Sequence, residues 1–387
     1  MLSSIYHSQQ PLTVGILGGG QLAKMLAQSA YKMGLRVAVI EHGADSPAGV
    51  MTKHEFTRGW NDEEELQEFI RVSDIVTLEN EFIAPEILYK IAEHRLVFPA
   101  PETVALVQDK YTQKQTMANA GIPTPHFAAC NSVEEITEFA AAHNFPIVIK
   151  TRKFGYDGYG NHTARNANEC AVAWNKFMGG EEPRPVMAES FVNFIKELAV
   201  IVARNRRGEI AVYPCVQTIQ QNHICVTVLA PAPIEQHIQQ RAQEIAVACV
   251  EAINGVGVFG VELFLTQDDD IIFNEIAPRP HNSGHYTIEG CHTSQFENGI
   301  RAVCNLPLGS PELVGGAAAM INLLGERRGD GVPDSVVDFL KHPYASLHLY
   351  GKKESRIGRK MGHVTAVGQT VNEAFARARD AVEALIW

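Results

Sequence analysis

With 387 residues, 45% of them hydrophobic, the chain is long enough to bury a large core in two or three domains, and its seven scattered cysteines, none in a C-x-x-C pair, signal neither a disulfide framework nor a zinc knuckle. A net charge of −11 and a pI near 5.8 exclude a general nucleic-acid or anionic-membrane surface, while leaving room for a local basic pocket that takes a small anion. The start, "MLSSIYHSQQ", carries neither a basic nor an apolar targeting region, and no run approaches the roughly eighteen apolar residues of a membrane span, so a cytoplasmic protein is expected.

From Thr13 to about Ala100, apolar runs ("TVGIL", "RVAVIE", "SDIVTLE", "LVFPA") alternate with helix-like segments, which predicts a small doubly wound α/β domain. Its opening turn, "GILGGGQLAK", matches G-x-G-x-x-G/A at Gly18, Gly20 and Ala23, and Glu41 ends the next apolar run roughly twenty residues on, as in dinucleotide-binding folds. A dehydrogenase is one reading of this stretch. After "PAPETVALVQDKY" the strands "FPIVIK", "PVMAESFV", "ELAVIVARN", "GVFGVELFL" and "DIIFNEIAP" are mostly joined by short turns, which predicts an antiparallel α+β region.

Within it, "FPIVIKTRKFGYDGYGN" delivers Lys150 at the end of a strand and follows it with Gly155, Gly158 and Gly160. Such a loop folds its backbone N–H groups over phosphates while the lysine neutralises them. No G-K-S/T closes it, so it is not a Walker loop, and a glycine-rich hairpin with a solvated lysine is the alternative. In "GVFGVELFLTQDDDIIFNEIAPRPHNSGH", a loop that sets Thr266 opposite Ile271 sets Glu262 opposite Glu275. Facing carboxylates repel and share a raised titration unless a cation lies between them, and Mg²⁺ accepts carboxylate oxygens together with nucleotide phosphates. A solvated, outward Glu275 is the alternative. The last region, from about Leu306, ends in "TVNEAFARARDAVEALI", where Thr370 and Glu373 form a capping box and Phe375, Ala378, Val382 and Leu385 make one apolar stripe.

Taken together, "GILGGGQL", "SPA", "TLENE", "KTRKFGYDGYGN", "NEIAPRPHNSGH" and "YGKKESRIGRKMGHVT" resemble the ATP-grasp enzymes, specifically the N5-carboxyaminoimidazole ribonucleotide synthetases of purine biosynthesis, along nearly the whole chain. The resemblance implies a mixed α/β and α+β fold: a Rossmann-like domain of the biotin-carboxylase N-terminal type at 1–103, an ATP-grasp domain at 104–305 with its lid around 150–195, and a small closing domain at 306–387. It implies ATP-dependent carboxylation of 5-aminoimidazole ribonucleotide by bicarbonate through carboxyphosphate, with Mg²⁺ or Mn²⁺, in a homodimer with no nucleic-acid or membrane partner.

The implied roles follow the matching motifs. Lys110 and Lys150 contact ATP phosphates under the loop Gly155, Tyr156, Asp157, Gly158 and Gly160; adenine lies against Glu189, Ser190, Phe191 and Val192; Glu197 meets the ribose; and His223 is an ATP-side candidate by approximate position, a surface turn being the alternative. Glu262 and Glu275 hold the metal, supported by Asn274. Arg279 and His281 sit by bicarbonate and the reacting amine, with Tyr156 and Asp157 beside the amine and Asp157 its proton acceptor, although Asp-Gly is also a common turn pair. The substrate's phosphate lies on Gly19, Gly20 and Gln21, clamped by Lys352 and Arg359, with Glu79 and Glu81 near its ribose or imidazole.

Two positions depart from the family pattern: Tyr159 stands where a basic residue is usual, and Lys24 follows Ala23 where Gly-Arg is usual. They leave a formate-activating ATP-grasp purine enzyme as the nearest alternative. An NAD-binding oxidoreductase and a nucleotide-binding regulatory protein without turnover are the alternatives from other classes.

Overall fold

The computed structural model describes residues 6–7, 10–155, 160–180 and 183–386. Near the N-terminus, five parallel strands run in the spatial order His54–Phe56, Arg36–Ile40, Thr13–Leu17, Ile75–Leu78, Leu96–Val97. Thr13–Leu17 is buried throughout, as expected of a parallel strand covered on both faces. It leads through Gly18–Gly20 into the helix Gln21–Lys32, whose Leu22, Ala23, Met25, Leu26, Ala27 and Ala30 face the core. This is the expected doubly wound unit.

The middle of the chain builds two antiparallel sheets. The smaller has the order Asn161–Ala164, Ile147–Thr151, Val186–Ser190, Phe127–Cys130. The larger has nine strands, beginning at its edge with Ile271–Ala277, Gly257–Thr266 and Phe194–Arg204. Phe191–Asn193 is the only covalent step between Val186–Ser190 of one sheet and Phe194–Arg204 of the other, so the expected adenine segment is the crossover between them. The helix Gln236–Ala252 covers one face of the large sheet, with Ile238, Ala242, Ile245 and Cys249 packed on Leu198, Val200, Val261 and Leu263.

The large sheet does not break at the boundary expected near Leu306. Ala317–Leu324 pairs with Ile224–Ala230, and Lys360–Gly368 and Ala345–Leu349 extend the sheet beyond it. The last helix, Val371–Glu383, has the expected cap, Thr370 Oγ1 accepting from Glu373 N at 3.2 Å, while the Glu373 carboxylate reaches one residue further back than in a capping box, accepting from Gln369 N at 2.7 Å. Ala378, Phe375 and Val382 of its stripe pack on the sheet. Among the described residues no helix is long and apolar enough to cross a membrane.

Candidate active site

The cleft between the two antiparallel sheets is built from alternation. Along Gly257–Thr266, Val261, Leu263 and Leu265 are buried in the core, which turns Glu262 and Phe264 to the other face. Glu262 is paired with Glu275, as the spacing predicts, but by a different route. Leu265, not Thr266, faces Ile271; the turn is longer by one residue, and a bulge with Asn274 as its extra residue restores the register at the two glutamates. Asn274 and Glu275 thereby both oppose Glu262.

Cations separate these acids. Lys110, at the start of the helix Lys110–Asn119, pairs with Glu275 Oε2. Lys150, on the small sheet, donates to Asn274 Oδ1 of the large sheet at 3.3 Å and lies 2.9 Å from Glu189 Oε2. Asn274 Nδ2 in turn donates to Glu262 Oε2 at 3.2 Å. Burial raises the Glu262 carboxyl, but the His281 contact and the charges of His281, Lys110 and Lys150 outweigh it and hold the group at about 2. The raised titration expected of an isolated carboxylate pair is therefore wrong for Glu262, because the pair is not isolated. Burial likewise opposes charge on Lys150, and Glu189, Glu275 and Glu262 together raise it above the ordinary lysine value. Glu197 shares the face of Glu262, two positions along on the neighbouring strand; burial, then repulsion from Glu262, pushes it up to about 7.

Arg279 and His281 leave the same hairpin. Arg279 forms a two-pronged pair with Glu81, its Nη2 donating to Oε1 at 2.7 Å. Glu81 therefore faces a guanidinium in this structure, and Arg279 overrides burial to keep its carboxyl below the usual range. His281 Nε2 lies 3.3 Å from Glu262 Oε1. Its Nδ1 accepts from Ser283 N at 3.4 Å, with Ser283 Oγ at 2.8 Å, so a neutral ring carries its proton on Nε2, toward Glu262. Gln295 braces the loop from both sides, accepting from His281 N at 3.0 Å and donating to His281 O at 2.8 Å. Close approach explains a glycine in mid-strand: a Cβ at Gly260 would lie 2.4 Å from His281 Cβ.

At the opposite end, the glycine-loop amides are engaged by carboxylates. Gly19 N donates to Glu41 at 2.9 Å, and Gly20 N, Leu22 N and Ala23 N donate to Glu79 at 2.7, 3.1 and 3.1 Å. A phosphate on this helix N-terminus must displace Glu79 or lie beside it, toward Gln21. Lys352 lies near Glu79 at this end, and Arg359, Arg356 and Lys360 lie near Lys352. Burial and then Arg359 lower Lys352 to about 8, while Glu79 partly holds it up; burial and Arg356 lower Arg359. Lys24 Nζ donates to Leu349 O at 2.9 Å and so ties the glycine-loop helix to this basic cluster.

Around the lid, Gly160 has φ +91° and would place a Cβ 2.4 Å from Thr151 Oγ1, while Gly155 lies directly across from it. Tyr156, Asp157, Gly158 and Tyr159 lie outside the described residues. Phe191 is exposed, and Ser190 Oγ accepts from His126 N at 3.1 Å at the end of its strand. His223 is an exposed turn residue at φ +64°. Sequence reasoning overlooked Lys114, Ser283 and Gln295; of these only Ser283, in the polar run "PRPHNSGH", carried a signal.

Three family models cover the chain: "Ribonucleotide synthetase preATP-grasp domain" at residues 12–108, "ATP-grasp domain" at 115–296, and "Phosphoribosylaminoimidazole carboxylase C-terminal domain" at 318–377. The chain is 39% identical to N5-carboxyaminoimidazole ribonucleotide synthase of Bacillus subtilis over 360 residues, covering 93% of this chain and 92% of that one. It is 39% identical to phosphoribosylaminoimidazole carboxylase of Schizosaccharomyces pombe, of whose length it spans 66% against 94% of its own. Among solved structures, N5-carboxyaminoimidazole ribonucleotide synthetase from Thermotoga maritima superposes with a TM-score of 0.85 at 41% identity, covering 97% of this chain and 99% of that one. The Aspergillus clavatus N5-carboxyaminoimidazole synthase in complex with ADP and 5-aminoimidazole ribonucleotide superposes with a TM-score of 0.87 at 34% identity, covering 96% and 98%. This chain belongs to the N5-carboxyaminoimidazole ribonucleotide synthetase family of ATP-grasp enzymes.

Proposed function

We propose that the inter-sheet cleft joins bicarbonate to the amine of 5-aminoimidazole ribonucleotide at the expense of ATP, giving N5-carboxyaminoimidazole ribonucleotide, ADP and phosphate. The observation that carries this reading is the pair of lysines brought to the carboxylate hairpin: Lys110, from its helix, on Glu275, and Lys150, which is held by Glu189 of its own sheet and reaches Asn274 of the large sheet. A dehydrogenase has no use for such a set. An ATP-dependent ligase exchanges it, lysines passing to phosphate oxygens as the carboxylates are released.

The donor set fits Mg²⁺. Glu262, Glu275 and Asn274 offer only hard oxygens, and among the described residues no cluster of three or more His, Cys, Asp or Glu could hold a metal unaided. That is the site of an ion carried in on phosphates and fastened by one or two carboxylates. When bound, it neutralises charge on the transferring phosphoryl group.

Bicarbonate is a poor electrophile, and its phosphorylation creates a leaving group on carbon. Arg279, planar and bidentate, is shaped for bicarbonate and for the carboxyphosphate that follows, once it exchanges Glu81 for the incoming anion. His281, held by Ser283, directs Nε2–H into the same space. Either carboxyphosphate or CO₂ released from it must meet the amine before water does, which is the function of the glycine lid. Asp157 is the proposed proton acceptor. Protomers pairing as a homodimer complete the reading.

Lys352 and Arg359 clamp the substrate's phosphate. Mutual repulsion among half-buried cations, which a dianion would relieve, supports an anion site here. Arg359→Ala should raise the KM for aminoimidazole ribonucleotide roughly ten- to a hundredfold, about 1.5–3 kcal/mol, with that for ATP nearly unchanged. Lys352 titrates at about 8 in the free protein, so it is charged below that pH and neutral above it. The KM for the ribonucleotide should therefore rise as pH climbs through 8, and Lys352→Gln should flatten that profile. A parallel rise for both substrates would remove the clamp assignment. For the reaction itself, ADP release by the purified protein should require both bicarbonate and aminoimidazole ribonucleotide; equal rates with formate would favour the formate-activating alternative.

A further inference from the structure

Lys114 belongs to none of the motifs above, yet it is the most deeply buried cation of the cleft. It lies one helical turn beyond Lys110 on Lys110–Asn119, and only 2% of its surface is exposed. Its Nζ is 3.4 Å from Glu189 Oε1 and donates to Phe273 O at 3.3 Å. Glu189, also buried, presents its other oxygen to Lys150 at 2.9 Å. One carboxylate is thus held between two ammonium groups. Lys114 stands behind it, and Lys150 stands in front, at the cleft, where it also reaches Asn274 of the opposite sheet. Among the described residues Oε1 of Glu189 has no hydrogen-bond partner, and Lys114 is the group that answers its charge from behind.

We propose that Lys114 is a positioning residue for nucleotide binding: by sharing the charge of Glu189, it frees Lys150 to turn from Glu189 to the phosphates of ATP. The physical basis is competition inside a medium of low dielectric. A buried carboxylate with a single counter-ion holds it strongly, because parting the pair leaves an uncompensated buried charge. With Lys114 behind it, Glu189 remains neutralised after Lys150 departs. Without Lys114, Lys150 must choose between Glu189 and the phosphates. The inference rests on the reading of Lys150 as a phosphate ligand.

The test is calorimetric titration of Mg·ADP, together with separate KM values for ATP and for aminoimidazole ribonucleotide. Lys114→Met should weaken Mg·ADP binding and raise the KM for ATP at least tenfold, while the KM for the ribonucleotide stays within twofold. Lys114→Met combined with Glu189→Gln removes the competing carboxylate along with its partner, and should bind Mg·ADP at least fivefold tighter than Lys114→Met alone. A merely structural lysine would move both KM values together. Unchanged Mg·ADP affinity in Lys114→Met, or a double variant no better than the single, would overturn the proposal. Should Lys114→Met not fold, the charge-balanced double variant decides alone: binding within tenfold of the unsubstituted protein upholds the proposal, and weaker binding overturns it. Failure of the unsubstituted protein to bind Mg·ADP would instead overturn the reading of Lys150.

Discussion

Glu275→Gln should abolish most turnover, by about a hundredfold or more at saturating substrates, and shift the remaining activity to higher Mg²⁺ concentration. Glu262→Gln should do the same. The bulge at Asn274 is the reason, since it turns Glu275 onto the face already occupied by Glu262 and leaves two carboxylates converging on one point. Considered as a bare like-charge pair, either substitution would stabilise the protein without nucleotide. The structure gives the opposite sign. Glu275 answers Lys110 directly, and Glu262 lies in the field of Lys110 and Lys150, so each Gln variant removes a negative charge that offsets these lysines. The Glu275 side chain is 37% exposed, and solvent screening keeps its loss small, about 0.5–1 kcal/mol. Turnover against Mg²⁺ concentration and thermal unfolding without nucleotide check both parts. Normal turnover and normal Mg²⁺ dependence in both variants would make these glutamates ordinary strand residues.

Arg279→Lys should lower turnover by about a hundred- to a thousandfold with every substrate saturating, and leave the KM for ATP within a few fold. The two-pronged contact with Glu81 shows what the guanidinium is positioned to do: it presents two parallel N–H groups to a planar anion. An ammonium keeps the charge and loses the fork. Lys110 and Lys150, the proposed phosphate ligands, lie on other elements and keep their partners, so the loss should fall on the chemical step. A lysine variant with full turnover would show that charge alone suffices at this position.

Much of this site is legible in the sequence because its signals are local. Alternation along Gly257–Thr266 separates core residues from Glu262, and glycines at both ends of the Lys150 loop mark tight backbone. What sequence could not supply is long-range. The register at Glu262 was expected from a turn one residue too short, and the compensating bulge has no signature beyond an asparagine in an apolar strand. The answering cations Lys110 and Lys150 come from 165 and 124 residues away from their partners in the hairpin, and this reverses the expected titration of Glu262. Lys114 lies within a polar, weakly patterned helix and looks solvated until the two sheets close over it. The glycine loop illustrates a further limit: its spacing announces a phosphate, but the groups on its amides in this structure are Glu41 and Glu79, supplied by neighbouring strand ends.

The central claim is that ATP is spent on activating bicarbonate in the cleft. Oxygen-18 bicarbonate, supplied with ATP, Mg²⁺ and aminoimidazole ribonucleotide, tests it directly. Phosphorylation of bicarbonate forms a bond from one of its oxygens to the terminal phosphorus, and that oxygen leaves with phosphate when its bond to carbon breaks. One labelled oxygen should therefore appear in inorganic phosphate for each ADP released, with the remaining label in the carboxylated product. Unlabelled phosphate formed alongside carboxylated product would contradict the account.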